Sequence, residues 1–179
     1  MFWVVTGGSG SGKSAYAEQK IMELGNRKRY YVATMECMDE ESKNRIKRHR
    51  NMRAGKQFET LECPRNLDKV VLKEKESAVL LECMSNLCAN EFFDGKGHTP
   101  AETADKILHG LENILGQCGH LVVVTNEIFS DAADLDEYSL KYLECLGMIN
   151  SRMAKYADGF IEVVYGIPIV HKKEKECML

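Results

Sequence analysis

Short apolar runs alternate along this chain with longer stretches of helical period. The runs are Phe2 to Thr6, Arg29 to Thr34, Ala78 to Glu82, Leu121 to Asn126 and Gly159 to Tyr165. The last of them turns at Gly166-Ile167-Pro168 into a further short run, Ile169 to His171. Runs of this length, rich in β-branched and aromatic residues and closed by polar or Gly/Pro positions, predict strands. Between them Ser14 to Leu24, Asp39 to Met52, Met84 to Phe93, Ala101 to Gln117 and Leu135 to Tyr156 predict helices. Short apolar strands separated by helices predict an α/β domain with a mainly parallel sheet and helices on both faces. Phe93 to Pro100 is the clearest loop, and the charged tail from Lys172 onward is expected to fray. No internal repeat or Pro/Ser-rich linker divides the chain, so a single domain over residues 1–179 is expected.

The first strand runs into Gly7-Gly8-Ser9-Gly10-Ser11-Gly12-Lys13-Ser14, which fits the phosphate-binding pattern G-x-x-x-x-G-K-[ST]. Strand, Gly-rich turn and helix follow in the order that motif requires, so the fold expected is P-loop NTPase-like. Glycines let backbone N–H groups turn inward around a phosphate, and the helix N-terminus behind them favours negative charge. Lys13 is expected to reach the terminal phosphates and the Ser14 hydroxyl to bind Mg2+. In parallel sheets ligands sit at the carboxyl ends of strands. Two further acidic segments end there, Leu80-Leu81-Glu82 and Val124-Thr125-Asn126-Glu127. Either Glu82 or Glu127 could organise the metal or its water shell, and Asn126 or Glu127 could touch phosphate or substrate. Glu62, closing Thr60-Leu61-Glu62, follows a third short strand-like run whose role the sequence alone leaves open.

Composition adds exclusions. The net charge of −3 argues against bulk nucleic-acid binding. No apolar run approaches the roughly 18 residues needed to cross a bilayer. The start has no basic region before the P-loop, so no signal peptide is expected. The seven cysteines form no C-x-x-C pair and suggest neither a disulfide framework nor a zinc site. Several adjoin apolar runs and read as small buried hydrophobes, which fits a reducing cytoplasm.

Glu40 to Arg53 is the most basic stretch of the chain. On a helix, Arg45, His49 and Arg53 recur at i, i+4 and i+8 and share a face. Neighbouring cations disfavour the imidazolium, which would keep His49 neutral and nucleophilic, and the same cations would orient a triphosphate. A solvated basic face with an incidental histidine fits the charge pattern as well. His98, His109, His120 and His171 are isolated and read as surface or loop positions.

Taken together, these residues resemble the bifunctional adenosylcobinamide kinase / adenosylcobinamide-phosphate guanylyltransferase family of cobalamin biosynthesis. The resemblance spans nearly the whole chain. It rests on Val5 to Gly8 and Ser11 to Glu18, Tyr31-Val32-Ala33-Thr34, Arg45-Ile46 to His49-Arg50 with Arg53, and Thr60-Leu61-Glu62. Further matches are Leu80-Leu81-Glu82-Cys83, Val124-Thr125-Asn126-Glu127, Asn150 to Ala154, Ala157-Asp158 and Gly166-Ile167-Pro168. It implies that His49 becomes covalently guanylylated, and that Gly7, Gly8, Ser9, Gly10, Ser11, Gly12, Lys13 and Ser14 hold the nucleotide phosphates. It also implies that Thr34, Met35, Glu36, Arg50, Asn51, Met52, Arg53, Glu62 and Glu82 line the guanine nucleotide site. The expected cofactor is Mg2+, bound through Ser14 and Glu82. The expected substrates are adenosylcobinamide and GTP, with ATP an alternative in the kinase step, and the expected assembly is a homotrimer. Two departures from the family pattern stand out. Gly10 replaces a usual arginine, and Ile128 to Asp134 replaces a Val-Gly loop that carries a further Gly and a Pro. Two other readings of the residues remain: a single-activity P-loop kinase for a small metabolite, and a nucleotide-dependent switch without turnover.

Overall fold

The computed structural model describes residues 1–36, 40, 43, 44, 47, 51, 54–129 and 135–173. Strand β1 (Phe2–Thr6) leads through the glycine-rich loop into helix α1 (Lys13–Glu23), and β2 (Arg29–Ala33) follows. Glu40, Lys43, Asn44, Lys47 and Asn51 are helical. The chain continues as β3 (Phe58–Glu62), a 3-10 turn (Leu67–Lys69), β4 (Ala78–Glu82), α2 (Met84–Phe92) and α3 (Pro100–Leu115). It ends as β5 (His120–Val124), α4 (Glu137–Tyr156), β6 (Gly159–Val164) and β7 (Ile167–Lys172).

The seven strands form one sheet in the order β3-β2-β4-β5-β1-β6-β7. Every neighbouring pair is parallel except β6 and β7, which form an antiparallel hairpin. The two faces are buried separately. Trp3, Val5, Tyr31, Leu80, Val122 and Val124 pack with Ala17 and Ile21 of α1. Phe2, Val4, Val79, Leu81, Leu121 and Val123 face the other way, onto α2, α3 and α4. Strand side chains alternate between faces. That alternation explains why the central strands read as unbroken apolar runs, with a helix layer waiting on either side. The parity also matters for the site: Glu82, two residues beyond Leu80, belongs to the face that α1 covers.

Helix ends follow their local chemistry. The Thr99 hydroxyl accepts from Glu102 N while the Glu102 carboxylate accepts from Thr99 N, and Pro100 opens α3. Asp136 caps α4 by accepting from Ser139 N at 2.9 Å. β6 begins at Gly159 because nothing larger fits: a Cβ there would stand 2.3 Å from the Trp3 ring. Gly159→Ala is expected to lower stability by about 1–3 kcal/mol, the cost of overpacking a filled core. A urea midpoint that drops with an unchanged m-value is the measurement that checks it.

Helix and strand bounds agree with the sequence expectations to within about two residues, with two exceptions. β3 is a full edge strand rather than a brief run at Thr60. β7 starts at Ile167 and includes Pro168, whose missing N–H is tolerated on an edge strand. The expected helix over Asp39 to Met52 lies largely outside the described residues. Among the described cysteines all are free thiols. Cys63, Cys88 and Cys145 are buried, and burial pushes the Cys63 thiol up to about 11, so it packs as a neutral group. Of the histidines expected at the surface or in loops, His171 stands on strand β7 with its Nε2 2.9 Å from Glu162 Oε2, and His120 begins β5.

Candidate active site

The loop between β1 and α1 is built by its glycines. Gly12 caps α1 in the left-handed region at φ 92°, and Gly10 has φ 71° with open space around it. Gly7 is required for close approach: a Cβ there would lie 2.4 Å from the Val163 carbonyl and 2.6 Å from Ser11 Oγ. The loop is pinned at both flanks. Gly166 N, in the β6–β7 turn, donates to the Ser11 carbonyl at 2.8 Å, and Glu127 N donates to the Gly7 carbonyl at 3.2 Å. The Ser11 hydroxyl is buried with no hydrogen-bond partner among the described residues, so the cradle holds a polar group open to a bound species.

Lys13 is buried, and its Nζ donates to the Gly8 carbonyl across the loop at 2.9 Å. Burial pushes its pKa below the usual lysine value, while Cys83 and Glu82 pull it back up. An ammonium held in a dry site by one carbonyl is poised to exchange that partner for phosphate oxygens. One residue on, Ser14 Oγ donates to Glu82 Oε1 in a short contact, and Tyr31 OH donates to Glu82 Oε2 at 3.0 Å. Both oxygens of a buried carboxylate are thus oriented, one of them against the P-loop serine. Adjacent hydroxyl and carboxylate oxygens are a hard donor set that fits Mg2+, which usually takes one or two carboxylates and completes its shell with water and phosphate. The two acidic strand ends stand in different surroundings. Glu82 meets Ser14, whereas the Glu127 carboxylate accepts from Phe129 N at 3.0 Å.

The carboxyl edge carries a second cluster beyond β2 and β3. Thr34 is buried, and its Oγ1 donates to the Cys83 carbonyl at 2.8 Å and accepts from Cys83 N at 2.7 Å. Arg65 grips Glu36 through both terminal guanidinium nitrogens, Nη1 and Nη2, and donates from Nε to the Asn90 carbonyl at 2.8 Å. Asn90 in turn donates to the carbonyls of Thr34 and Pro64. Met35 lies between Thr34 and Glu36, half-buried, and Glu62 closes β3 exposed at the same edge. Asn126 Nδ2 donates to Ser85 Oγ at 2.6 Å, tying the end of β5 to the start of α2.

Gly7 to Ser14, Thr34 to Glu36, Glu62, Glu82, Asn126 and Glu127 therefore all gather at one edge of the sheet. Asn51 is helical and exposed, while Arg45, His49, Arg50, Met52 and Arg53 lie outside the described residues. The chain returns from that stretch under restraint. Lys56 pairs with the fully buried Glu18 of α1, and its carbonyl accepts from Arg29 Nη1 at 3.2 Å. Tyr31, Arg65, Ser85 and Asn90 were not anticipated as site residues. Tyr31, Ser85 and Arg65 had a faint signal, a polar group within three residues of a strand end; Asn90 had none.

A model of the cobinamide kinase / cobinamide phosphate guanyltransferase family matches residues 3–171. The chain is 30% identical to the bifunctional adenosylcobalamin biosynthesis protein CobU of Salmonella typhimurium, covering 94% of this chain and 98% of that one. It is 28% identical to the Escherichia coli protein of the same description, over the same shares. Among solved structures it resembles the flagellar accessory protein FlaH of Methanocaldococcus jannaschii, at a TM-score of 0.52 and 12% identity, over 97% of this chain and 78% of that one. It also resembles an ATPase of a bacterial type III secretion system, at a TM-score of 0.57 and 11% identity, over 90% of this chain and 50% of that one. These two likenesses bear on the fold, a mainly parallel sheet with helices, and on nothing finer.

Proposed function

Since this chain belongs to the cobinamide kinase / cobinamide phosphate guanyltransferase family, a family of enzymes of adenosylcobalamin biosynthesis, we propose that it carries out two successive transfers from nucleotide to corrinoid. In the first, the hydroxyl of the aminopropanol arm of adenosylcobinamide attacks the γ-phosphorus of GTP or ATP. The bond to the β–γ bridging oxygen breaks, the nucleoside diphosphate leaves and the hydroxyl proton passes to solvent. In the second, His49 attacks the α-phosphorus of GTP and expels pyrophosphate. The phosphate oxygen of adenosylcobinamide phosphate then displaces the histidine, forming adenosylcobinamide-GDP and freeing the imidazole. Splitting one transfer into two displacements is nucleophilic catalysis.

The observation that carries this reading is the meeting of buried Lys13, Ser14 and Glu82 at the mouth of the P-loop. Lys13 and the loop amides would neutralise the phosphate charge that builds up in either transfer. Mg2+ held at Ser14 and the Glu82 oxygens would supply further charge stabilisation and fix the phosphate chain. Arg45, Arg50 and Arg53 would clamp the triphosphate, and Thr34, Met35, Glu36, Asn51, Met52 and Glu62 would border the nucleoside. A cytoplasmic homotrimer is the setting we propose for this chemistry. The apolar, exposed β7 edge, with Ile167, Ile169 and Val170, supports self-association. No helix among the described residues is long and apolar enough to cross a membrane.

The test is incubation with adenosylcobinamide and GTP labelled at either the α or the γ position. The γ label is expected in adenosylcobinamide phosphate and the α label in adenosylcobinamide-GDP. Steady absence of turnover over hours would leave a nucleotide switch. Glu82→Gln is expected to raise the Mg2+ concentration for half-maximal activity by roughly 10- to 100-fold, the usual effect of disturbing groups around a bound metal. Nucleotide binding measured without Mg2+ should not change.

A further inference from the structure

The carboxyl edge has two flanks of opposite character. Beyond β2 and β3 it is charged and hydrogen-bonded, through Glu36, Arg65 and Glu62. Beyond β5, on the face opposite α1, it is apolar and open. Ile128 and Phe129 follow directly on Glu127, and Phe93 ends α2 with half of its surface in water. Tyr138, one helical turn before Tyr142 on α4, stands 71% exposed. Phe93 and Phe129 are held in place. The Phe93 ring lies 6.0 Å from that of Tyr142, whose hydroxyl donates to the Ser85 carbonyl at 3.2 Å. Phe129 lies against α4 at Gly147, where an added Cβ would meet its ring at 3.7 Å. Exposed large apolar groups that stand side by side mark a site for a ligand or partner.

We propose that this shelf is the docking site for the corrin macrocycle of the acceptor substrate, an inference that rests on the reaction given above. Three observations favour that occupant. The shelf is continuous with the phosphate cradle: Glu127 N is bonded to the Gly7 carbonyl, and both Asn126 and Tyr142 are bonded to Ser85. The second observation is charge. Adenosylcobinamide is a cobalt(III) corrin of net positive charge, and the exposed or half-exposed residues that adjoin these side chains along the chain include Asp94, Glu127, Asp136, Glu137 and Glu144 against Lys96 and Lys141 among the described residues. The third is shape and polarity. A broad macrocycle with an apolar body and amide edges matches aromatic faces ringed by polar groups, and the charged flank beyond β2 matches a nucleoside better. The segment that departs from the family pattern after Glu127 therefore keeps large apolar side chains at its start, Ile128 and Phe129.

Steady-state kinetics of the full-length enzyme test this. Phe93→Ala combined with Tyr138→Ala removes two exposed rings and touches neither the P-loop nor Glu82. The KM for adenosylcobinamide at saturating Mg2+–GTP is expected to rise about tenfold or more. The kcat, the KM for GTP and the sedimentation coefficient are expected to stay within error of wild type, and Tyr138→Phe is expected to behave as wild type. An unchanged corrinoid KM in the double variant overturns the proposal, as does a shift to a smaller sedimenting species, which would make the shelf a contact between copies. A wild-type enzyme that turns over no adenosylcobinamide overturns both this inference and the reaction. Normal wild-type turnover with an indifferent variant overturns the shelf alone.

Discussion

Lys13→Met is expected to lower the rate of phosphoryl transfer to adenosylcobinamide by about 10²- to 10³-fold, the usual cost of removing one preorganised charge-stabilising donor from a dry site. The expectation follows from where the ammonium sits. Lys13 is 8% exposed at the first position of α1, and its Nζ already leans across the loop onto the Gly8 carbonyl. A phosphate chain entering the cradle offers it stronger acceptors without any rearrangement of the backbone. Methionine keeps the length and the packing of the side chain and removes only the charge. Burial disfavours that charge in the free protein, which is why the lysine pKa is pushed down. The variant should therefore unfold at the same temperature as the parent or higher, while its activity collapses. That pairing separates a chemical role from a structural one. Only one P-loop serves both proposed transfers, so uptake of the α label should fall together with phosphorylation. A variant that retains more than about a tenth of the parental kcat at saturating substrate would remove Lys13 from the chemistry.

What could be read from the chain and what could not divides along physical lines. β1 and β4 were legible residue for residue, because each is an apolar run buried on both faces and cut off sharply by glycine or by charge. β3 was nearly silent. Phe58, Thr60 and Glu62 alternate with Glu59 and Leu61 on a half-exposed edge strand, where neither face imposes an apolar pattern. The cradle was legible because its glycines and lysine lie within one continuous segment. Glu82 was legible because a strand end beside a P-loop is a restricted place. The partners that orient these groups were not. Tyr31 reaches Glu82 across 51 positions of sequence and Arg65 reaches Glu36 across 29. Such pairs arise from the β3-β2-β4 strand order, which the periodicity of the chain does not encode. The apolar shelf was hidden for a related reason. Phe93, Phe129 and Tyr138 look like ordinary helix and loop residues until α2, α4 and the end of β5 are brought side by side.

His49→Ala is expected to abolish covalent labelling by α-labelled GTP, a loss of at least about 10³-fold, while phosphorylation of adenosylcobinamide continues within a few-fold of the parental rate. The two transfers differ in the phosphorus atom attacked and in the nucleophile. The γ transfer needs only the cradle and an acceptor hydroxyl, whereas the α transfer needs a protein nucleophile that can reach past the β-phosphate. In the sequence, His49 follows Arg48 and precedes Arg50. In the proposed reaction, cations beside it would oppose protonation of the ring and attract the triphosphate, keeping the lone pair available near its target. Restraint is present where the chain leaves this stretch, since Lys56 is fixed to Glu18 on the same helix that carries Lys13 and Ser14. The labelled parent protein should carry a phosphoramidate, stable in base and released in acid, and labelling should vanish with the histidine even though Mg2+–GTP still binds. Label that persists in His49→Ala would assign the nucleophile to another residue. Label that disappears together with all kinase activity would mean that the substitution had damaged the cradle, and His49 would then lose its separate role in guanylyl transfer.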